Sequence, residues 1–516
     1  MAATFSRSGC HPIKDNYFID MFLTAKALLP RIVSSILIGI VLAFGFDALF
    51  LNLVQRPPVD QALLVFFSSV AFGYLTFYFL ESRQEIRQLF QFEKITINRS
   101  SVASFFREHL AGILLAILFF SIYTYIGLKL NNPAIDTTDN YLDADNIPWM
   151  LRIASPEGSS LEMRGPHPFA YFIFRPLGWI LNLFTRNPSL SSILLNTFMG
   201  GVCVFLAWMF IKNETQNRLY AFLIASLLGL STAHLFLGSV VETYIFSAAA
   251  LIGFFLILQA RRDTWGGLVL TGLITFGITL TNFVQTFIGF ALSRPRLKEI
   301  VRFAGLTLSL GVLLSLLHSA WYPSSKLFFL PSDAQAEGEF AFSIFQEPSW
   351  RAVGRVLLLV RTILLYAVIA PRPYVFGEEV GGTFPRFNFF KIAPETFSYS
   401  SYDGLGNGLV LFWALLLLTS SLFFFWNILR TRRVDFTLTF ALCILFNFLL
   451  HVNYGYEPFL YSPDWAYALI FFVALALAPL AKNRILQGGL CIFLILLAYN
   501  QWAFFKFVFD TVDPFL

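Results

Sequence analysis

Apolar runs of about 20 residues recur along this chain, and each is long enough to cross the hydrocarbon core of a bilayer. In lipid every backbone N–H and C=O must find a partner within the protein, so runs of this length fold as helices. The composition agrees, with 57% apolar and 13% charged residues against about 25% charged in an ordinary soluble domain. Phe alone contributes 62 residues, which suits lipid-facing and helix-packing surfaces. The expectation is an all-α polytopic membrane protein, multi-pass, integral to the plasma (cytoplasmic) membrane.

The charges between the runs set the topology. Residues 28–54 and 60–80 are joined at Arg56-Pro57-Pro58, and the stretch that follows holds Arg83, Arg87, Lys94, Arg99 and Arg107. By the positive-inside rule that stretch is cytoplasmic. Residues 108–130 then run outward, and the loop from Asn131 to Pro166, with more acids than bases, lies outside. Residues 189–212 return, 219–237 go out and 241–260 come back. The run 266–292 has basic flanks on both sides, Arg261-Arg262 and Arg294 with Arg296. One span cannot begin and end on the same side, so the polar centre Thr279 to Thr286 predicts a hairpin of two short helices. Residues 300–321 exit to a second large outer region, 323–408. Within it 354–371 is short, carries Arg355 and Arg361, and reads as interfacial or re-entrant, with a full span the less favoured alternative. Four further runs bring the total to about eleven crossings. Residues 1–107 form an N-terminal extension with a two-helix hairpin and a basic loop, and residues 108–516 form one membrane domain.

Other classes drop out. Cys10, Cys203, Cys443 and Cys491 make no CxxC pair, so neither a disulfide framework nor structural zinc is expected. The net charge of +5 is taken up by loops as topology demands, and no nucleic-acid partner is implied. The polar, mixed first 26 residues argue against a cleavable signal peptide.

The chemistry-bearing residues gather in Asn140 to Leu177. Asp143 and Asp145 stand two apart, so on an extended loop both carboxylates reach one substrate, whereas on a helix only one does. A carboxylate at a hydrocarbon boundary loses water, its pKa rises, and it becomes a competent general base. Arg164 and His167 precede Pro168, and Arg supplies the fork that a phosphate or pyrophosphate needs. Arg152 and Arg175 are alternatives, and snorkelling to lipid headgroups explains any one of these arginines equally well. Glu242 opens the helix that follows it, where an acid suits the helix dipole whatever its function. The late outer turn Asn453 to Ser462, with Tyr454, Glu457 and Tyr461, has the aromatic and hydroxyl content of a saccharide site and also that of an interfacial belt. Asn282 and Gln285 read as partners for backbone groups. Asp143, Asp145 and Glu242 offer oxygen ligands to a divalent cation, although nothing in their spacing demands one.

In order, these features resemble the GT-C class of membrane glycosyltransferases, including its protein-mannosyltransferase-like and aminoarabinose-transferase-like branches. The similar features are an acidic first outer loop (Asp143, Asp145) and a His-Pro segment (His167-Pro168-Phe169-Ala170-Tyr171). Glu242-Thr243-Tyr244, the segment Gly266 to Thr286 and the turn Glu457 to Trp465 follow. The resemblance covers roughly residues 108–481. It departs from the family in having HPFA where HPPL-like sequence is usual, and in lacking a clear second acidic motif. It implies a GT-C-like bundle with about 11–13 transmembrane helices and large extracytoplasmic loops. It also implies transfer of a sugar from a polyprenyl-phosphate donor to a lipid, glycan or protein acceptor, with inversion, at the outer face. Asp145 would be the base, with Asp143 close behind, and Arg152, Arg164, His167, Glu242, Tyr454, Glu457 and Tyr461 would contact substrate. Two other classes compete: a lipid or polysaccharide transporter, disfavoured by the absence of repeats and midplane charges, and a non-catalytic scaffold.

Overall fold

The computed structural model describes residues 16–81, 99–131, 139–260, 265–377, 384–431 and 436–515. Helix makes up 78% and strand 4%, so the protein is an all-α polytopic membrane protein. Seven helices among the described residues are long and apolar enough to cross a membrane, and six shorter apolar ones accompany them.

The described residues fall into two compact units, one within residues 1–93 with 308–313, the other within 94–307 and 314–516. In the first, α1 (Asn16–Phe50) and α2 (Pro58–Glu81) form a hairpin. Gly39 lets the two backbones touch, since a Cβ there would sit 2.7 Å from the Gly73 nitrogen. Inside the hairpin Ser68 donates to the buried Asp47 carboxylate at 2.7 Å.

The second unit begins with α3 (Arg99–Leu130), the short α4 (Asn146–Ala154), α5 (Ala170–Thr185) and α6 (Pro188–Thr215). Next come α7 (Arg218–Leu230), α8 (Thr232–Leu237) and α9 (Tyr244–Gln259). Asn-capped starts punctuate it: Asn187 accepts from the Leu190 amide and Asn217 from the Tyr220 amide, each satisfying an orphan donor of the first turn. Residues 219–237, expected as one outward run, are broken at Ser231. The break is stable because the Thr232 and Ala233 amides find the carbonyls of Val368 and Ala367. Gln501 closes it from the far end of the chain, donating to the carbonyls of Leu230 and Val368 and accepting from the Ala370 amide.

The run 266–292 is a hairpin, as its charge parity predicts. Helices α10 (Trp265–Ile278) and α11 (Phe283–Ser293) flank a 3-10 turn, Leu280–Asn282. Trp265 at the start of one arm lies 5.5 Å from Phe290 near the end of the other, which only a fold-back allows. Gln285 donates to the Asp464 backbone carbonyl, the role read from the sequence, whereas the Asn282 side chain bonds other side chains, donating to Ser247 and accepting from Gln285.

Then follow α12 (Leu297–Trp321), the one-turn α13 (Pro331–Ala334) and α14 (Ser349–Arg361), the last running into a π-turn at Thr362–Tyr366. Four short strands make two antiparallel ribbons, β1 (Tyr374–Phe376) with β2 (Arg386–Asn388), and β3 (Phe390–Ala393) with β4 (Thr396–Tyr399). The bundle ends with α15 (Leu405–Thr431), α16 (Phe436–Val452), α17 (Pro463–Ala476) and α18 (Arg484–Val512). Its core is a cluster of rings, among them Phe210 stacked on Phe471 at 4.9 Å and Phe255 against Phe440 at 4.9 Å.

Candidate active site

The loop after α3 is not extended, so its two aspartates do not point together as an extended chain would have them. The Ala144 amide bonds the Tyr141 carbonyl at 3.1 Å, and the two residues between, Leu142 and Asp143, both have positive φ (55° and 66°). This is a tight turn of the mirror-image kind that glycine or asparagine usually occupies, built here from a leucine and an aspartate. Such non-glycine conformations cost about 1–3 kcal/mol each and persist only where the surroundings hold them. Here the surroundings are β2. The Leu142 amide donates to the Phe387 carbonyl at 3.1 Å, the Phe387 amide donates to that of Asn140 at 2.8 Å, and Tyr141 stacks on Phe387.

The turn leaves Asp143 beside Arg386, its Oδ1 3.5 Å from Nη2. Burial first, then the charge of Asp139, pushes the Asp143 carboxyl up to about 6, with Arg386 pulling the other way. Asp145 sits at the cap position of α4 without capping it. Burial and then Asp139 raise its pKa, and Arg152 and Arg164 oppose them.

Glu242 does not open a helix. Helix α9 begins at Tyr244, and Glu242 lies before its cap residue Thr243. Its carboxylate is committed elsewhere: Oε1 accepts from the Asp145 amide at 2.7 Å and Oε2 from the Thr243 amide at 3.0 Å. Glu242 is thus a buried clamp on the backbone of the acidic loop. Burial, then the charge of Asp145, drives its pKa up.

Of the residues expected to contact substrate, Arg164, His167, Tyr454 and Tyr461 line one cavity of about 230 Å³, together with Tyr244, Thr279 and Asp464. The His-Pro segment, the hairpin apex and the late turn supply most of its wall. The His-Pro segment is bonded to the hairpin apex, with the Leu280 amide on the Pro166 carbonyl at 2.9 Å and His167 Nδ1 on the Ile278 carbonyl at 2.6 Å. That carbonyl can only accept, so Nδ1 carries the proton and Nε2 is left as an acceptor. Burial, more than the nearby arginines, lowers the His167 pKa to about 4, so the ring is neutral. The late turn is held by one guanidinium: buried Arg355 of α14 donates to the carbonyls of Tyr456 (2.7 Å), His451 (2.9 Å), Tyr454 (3.2 Å) and Gly455. Gly455, at φ 78°, leaves room for the Tyr461 ring, which any side chain there would strike.

The remaining expected residues lie outside the cavity lining. Arg152 stacks over Trp149 at 4.9 Å, donates to the Glu162 carbonyl, and is near enough to Asp145 to lower its pKa. Buried Glu457 accepts from the Phe459 amide at 3.1 Å. Its pKa rises to about 8, mainly by burial, against that hydrogen bond, with the Asp143 charge adding to the rise. Arg175 is buried in α5 and donates to the Arg152 and Ser155 carbonyls.

Sequence reasoning missed Glu337 and Arg386. Glu337 accepts from both Arg164 Nε (2.8 Å) and Nη2 (2.6 Å), and from the Tyr454 hydroxyl at 3.1 Å. Both residues lie in the long region after α12, where no periodicity or motif marks them. Among the described residues no three His, Cys, Asp or Glu side chains converge to hold a metal ion, and both oxygens of Glu242 are already taken by amides. No model of a known protein family matches the chain, and no curated protein matches it.

Proposed function

We propose that this protein is a membrane glycosyltransferase that moves a sugar from a polyprenyl-phosphate donor to an acceptor hydroxyl at the extracytoplasmic face of the cytoplasmic membrane. The observation that carries the reading is a pair of carboxyl groups with raised pKa, Asp143 and Asp145, on a strained turn beside Arg152 and Arg386. A general base needs a pKa near the working pH and a rigid mount, and the β2 bonds and the Glu242 clamp supply the mount.

In the proposed step Asp145 accepts the proton of the acceptor hydroxyl as its oxygen attacks the anomeric carbon. The bond from that carbon to the phosphate oxygen breaks, and the polyprenyl phosphate leaves with the electron pair. The configuration inverts. Arg152 has no carboxylate ion-pair partner among the described residues and suits the leaving phosphate. Arg164 has its fork filled by Glu337.

The test is transfer by purified protein from a panel of radiolabelled polyprenyl-phosphate sugars, comparing wild type with Asp145→Asn and Asp143→Asn. Transfer that collapses in Asp145→Asn supports the reading. Silence of the wild type across the panel would shift the balance to a transporter or scaffold.

A further inference from the structure

The cavity beside the acidic loop has a chemistry of its own. Its one arginine, Arg164, is neutralised by a bidentate carboxylate, so an anion gains little there. What remains is one carboxyl group, Asp464, and a set of uncharged hydrogen-bonding groups around aromatic faces. The Tyr244 and Tyr461 rings meet edge to face at 5.2 Å, and His451 lies over Tyr461 at 4.4 Å. No protein group among the described residues bonds the hydroxyl of Tyr244 or Tyr461. His167 offers Nε2 as an acceptor. Two more of the lining residues hold buried polar atoms that nothing among the described residues satisfies, Thr279 Oγ1 and Asp464 Oδ1, in residues 7% and 2% exposed. Asn282 and Ser247 lie beside the Asp464 carboxyl, and Gln285 holds the Asp464 backbone carbonyl at 3.1 Å.

A buried polar atom without a partner costs about 1–3 kcal/mol, and where such atoms line one cavity a hydroxylated ligand can complete several at once. A ligand with hydroxyl groups around an apolar-faced ring answers both the aromatic planes and the orphaned atoms. We infer that this cavity is a monosaccharide subsite, in which Asp464, Thr279 and Tyr461 read the hydroxyl pattern of one sugar ring. The inference rests on the transferase reading for its role but not for its test. The cavity volume of about 230 Å³ lies just below the usual range of ligand cavities and limits an occupant to about one small ring.

The experiment measures binding without turnover. Full-length protein in nanodiscs is titrated with methyl pyranosides of differing hydroxyl stereochemistry, observed by saturation-transfer NMR, with polyprenyl phosphate lacking sugar as the second probe. At least one pyranoside binds the wild type. Its affinity falls about tenfold or more in Asp464→Asn and about threefold to tenfold in Thr279→Val and Tyr461→Phe. Polyprenyl phosphate binding stays unchanged in all three. Tyr461→Phe keeps the ring and carries the test if Asp464→Asn does not fold. No pyranoside binding to the wild type, or binding that all three variants leave intact, overturns the subsite. Transfer activity with unaltered variants would sink the subsite and leave the transferase. Sugar binding without any transfer would do the reverse.

Discussion

The acidic loop and the cavity next to it solve opposite electrostatic problems with the same kind of backbone support. In the loop, burial and neighbouring carboxylates drive Asp143 and Asp145 towards their protonated forms, and the Asp143 charge adds to the same effect on Glu457 of the late turn. In the cavity the Arg164 cation is cancelled by Glu337, and the groups left over are uncharged apart from the Asp464 carboxyl. Each is held by one charged side chain that bonds only to backbone: Glu242 grips two amides under the loop, and Arg355 grips four carbonyls under the late turn. A charged group spent on peptide groups fixes geometry and leaves the reactive groups to others. The lesson is that the most buried charge in a site is not always the one that reacts.

The contrast can be broken most sharply at the loop. Asp145→Asn is expected to lower the rate of transfer by about 100-fold to 10,000-fold with the donor KM little changed. A larger loss in Asp143→Asn would move the base to the turn itself. Next in size is Arg355→Met, which strands four carbonyls. Thermal unfolding should show a loss of about 3 kcal/mol or more, and sugar affinity should fall with it, while Arg355→Lys recovers part of both. Glu242→Gln places an NH2 against one of two amide donors. It should cost about 1–3 kcal/mol in unfolding experiments and lower kcat through the acidic loop, leaving pyranoside binding intact. The pH profile sharpens the same division. A base whose pKa is raised works only when deprotonated, so activity should be full at neutral pH. It should fall as pH drops through the raised value, near 6 if Asp143 is the base; a profile still flat at pH 5 would exclude Asp143. The smallest effect belongs to Glu337→Gln, which uncovers Arg164. Affinity for polyprenyl phosphate should rise about twofold to fivefold as the part-buried guanidinium loses its carboxylate partner.

Much of this was legible in the sequence because membrane topology is written in charge. The hairpin at 266–292 follows from its two basic flanks and the polar centre Thr279 to Thr286, and Arg164, His167, Tyr454 and Tyr461 do meet at one cavity. The geometry of the loop was not legible. Positive φ is signalled by glycine or asparagine, and Leu142 with Asp143 gives no such signal; the pairing with β2, some 240 residues away, enforces it. Glu242 misled for a related reason. An acid followed by an apolar run reads as a helix start, but here its oxygens are drawn to the Asp145 amide across the fold. Glu337 lies in a stretch without periodicity, and only the folded chain brings it to Arg164.

The amide of Gln501 bears on how this protein is made. Synthesis runs from the N-terminus, so the kink between α7 and α8 enters the membrane long before α18 exists. Its Leu230 carbonyl, and the segment around Val368 and Ala370, receive their last partners only when Gln501 arrives. Until then the Leu230 carbonyl and the Ala370 amide lack this partner in a medium that offers little water, while the Val368 carbonyl has the Thr232 amide. The final helix therefore acts as a clasp on a half-assembled bundle, and a ribosome that stops short of it releases a chain that quality-control proteases can recognise.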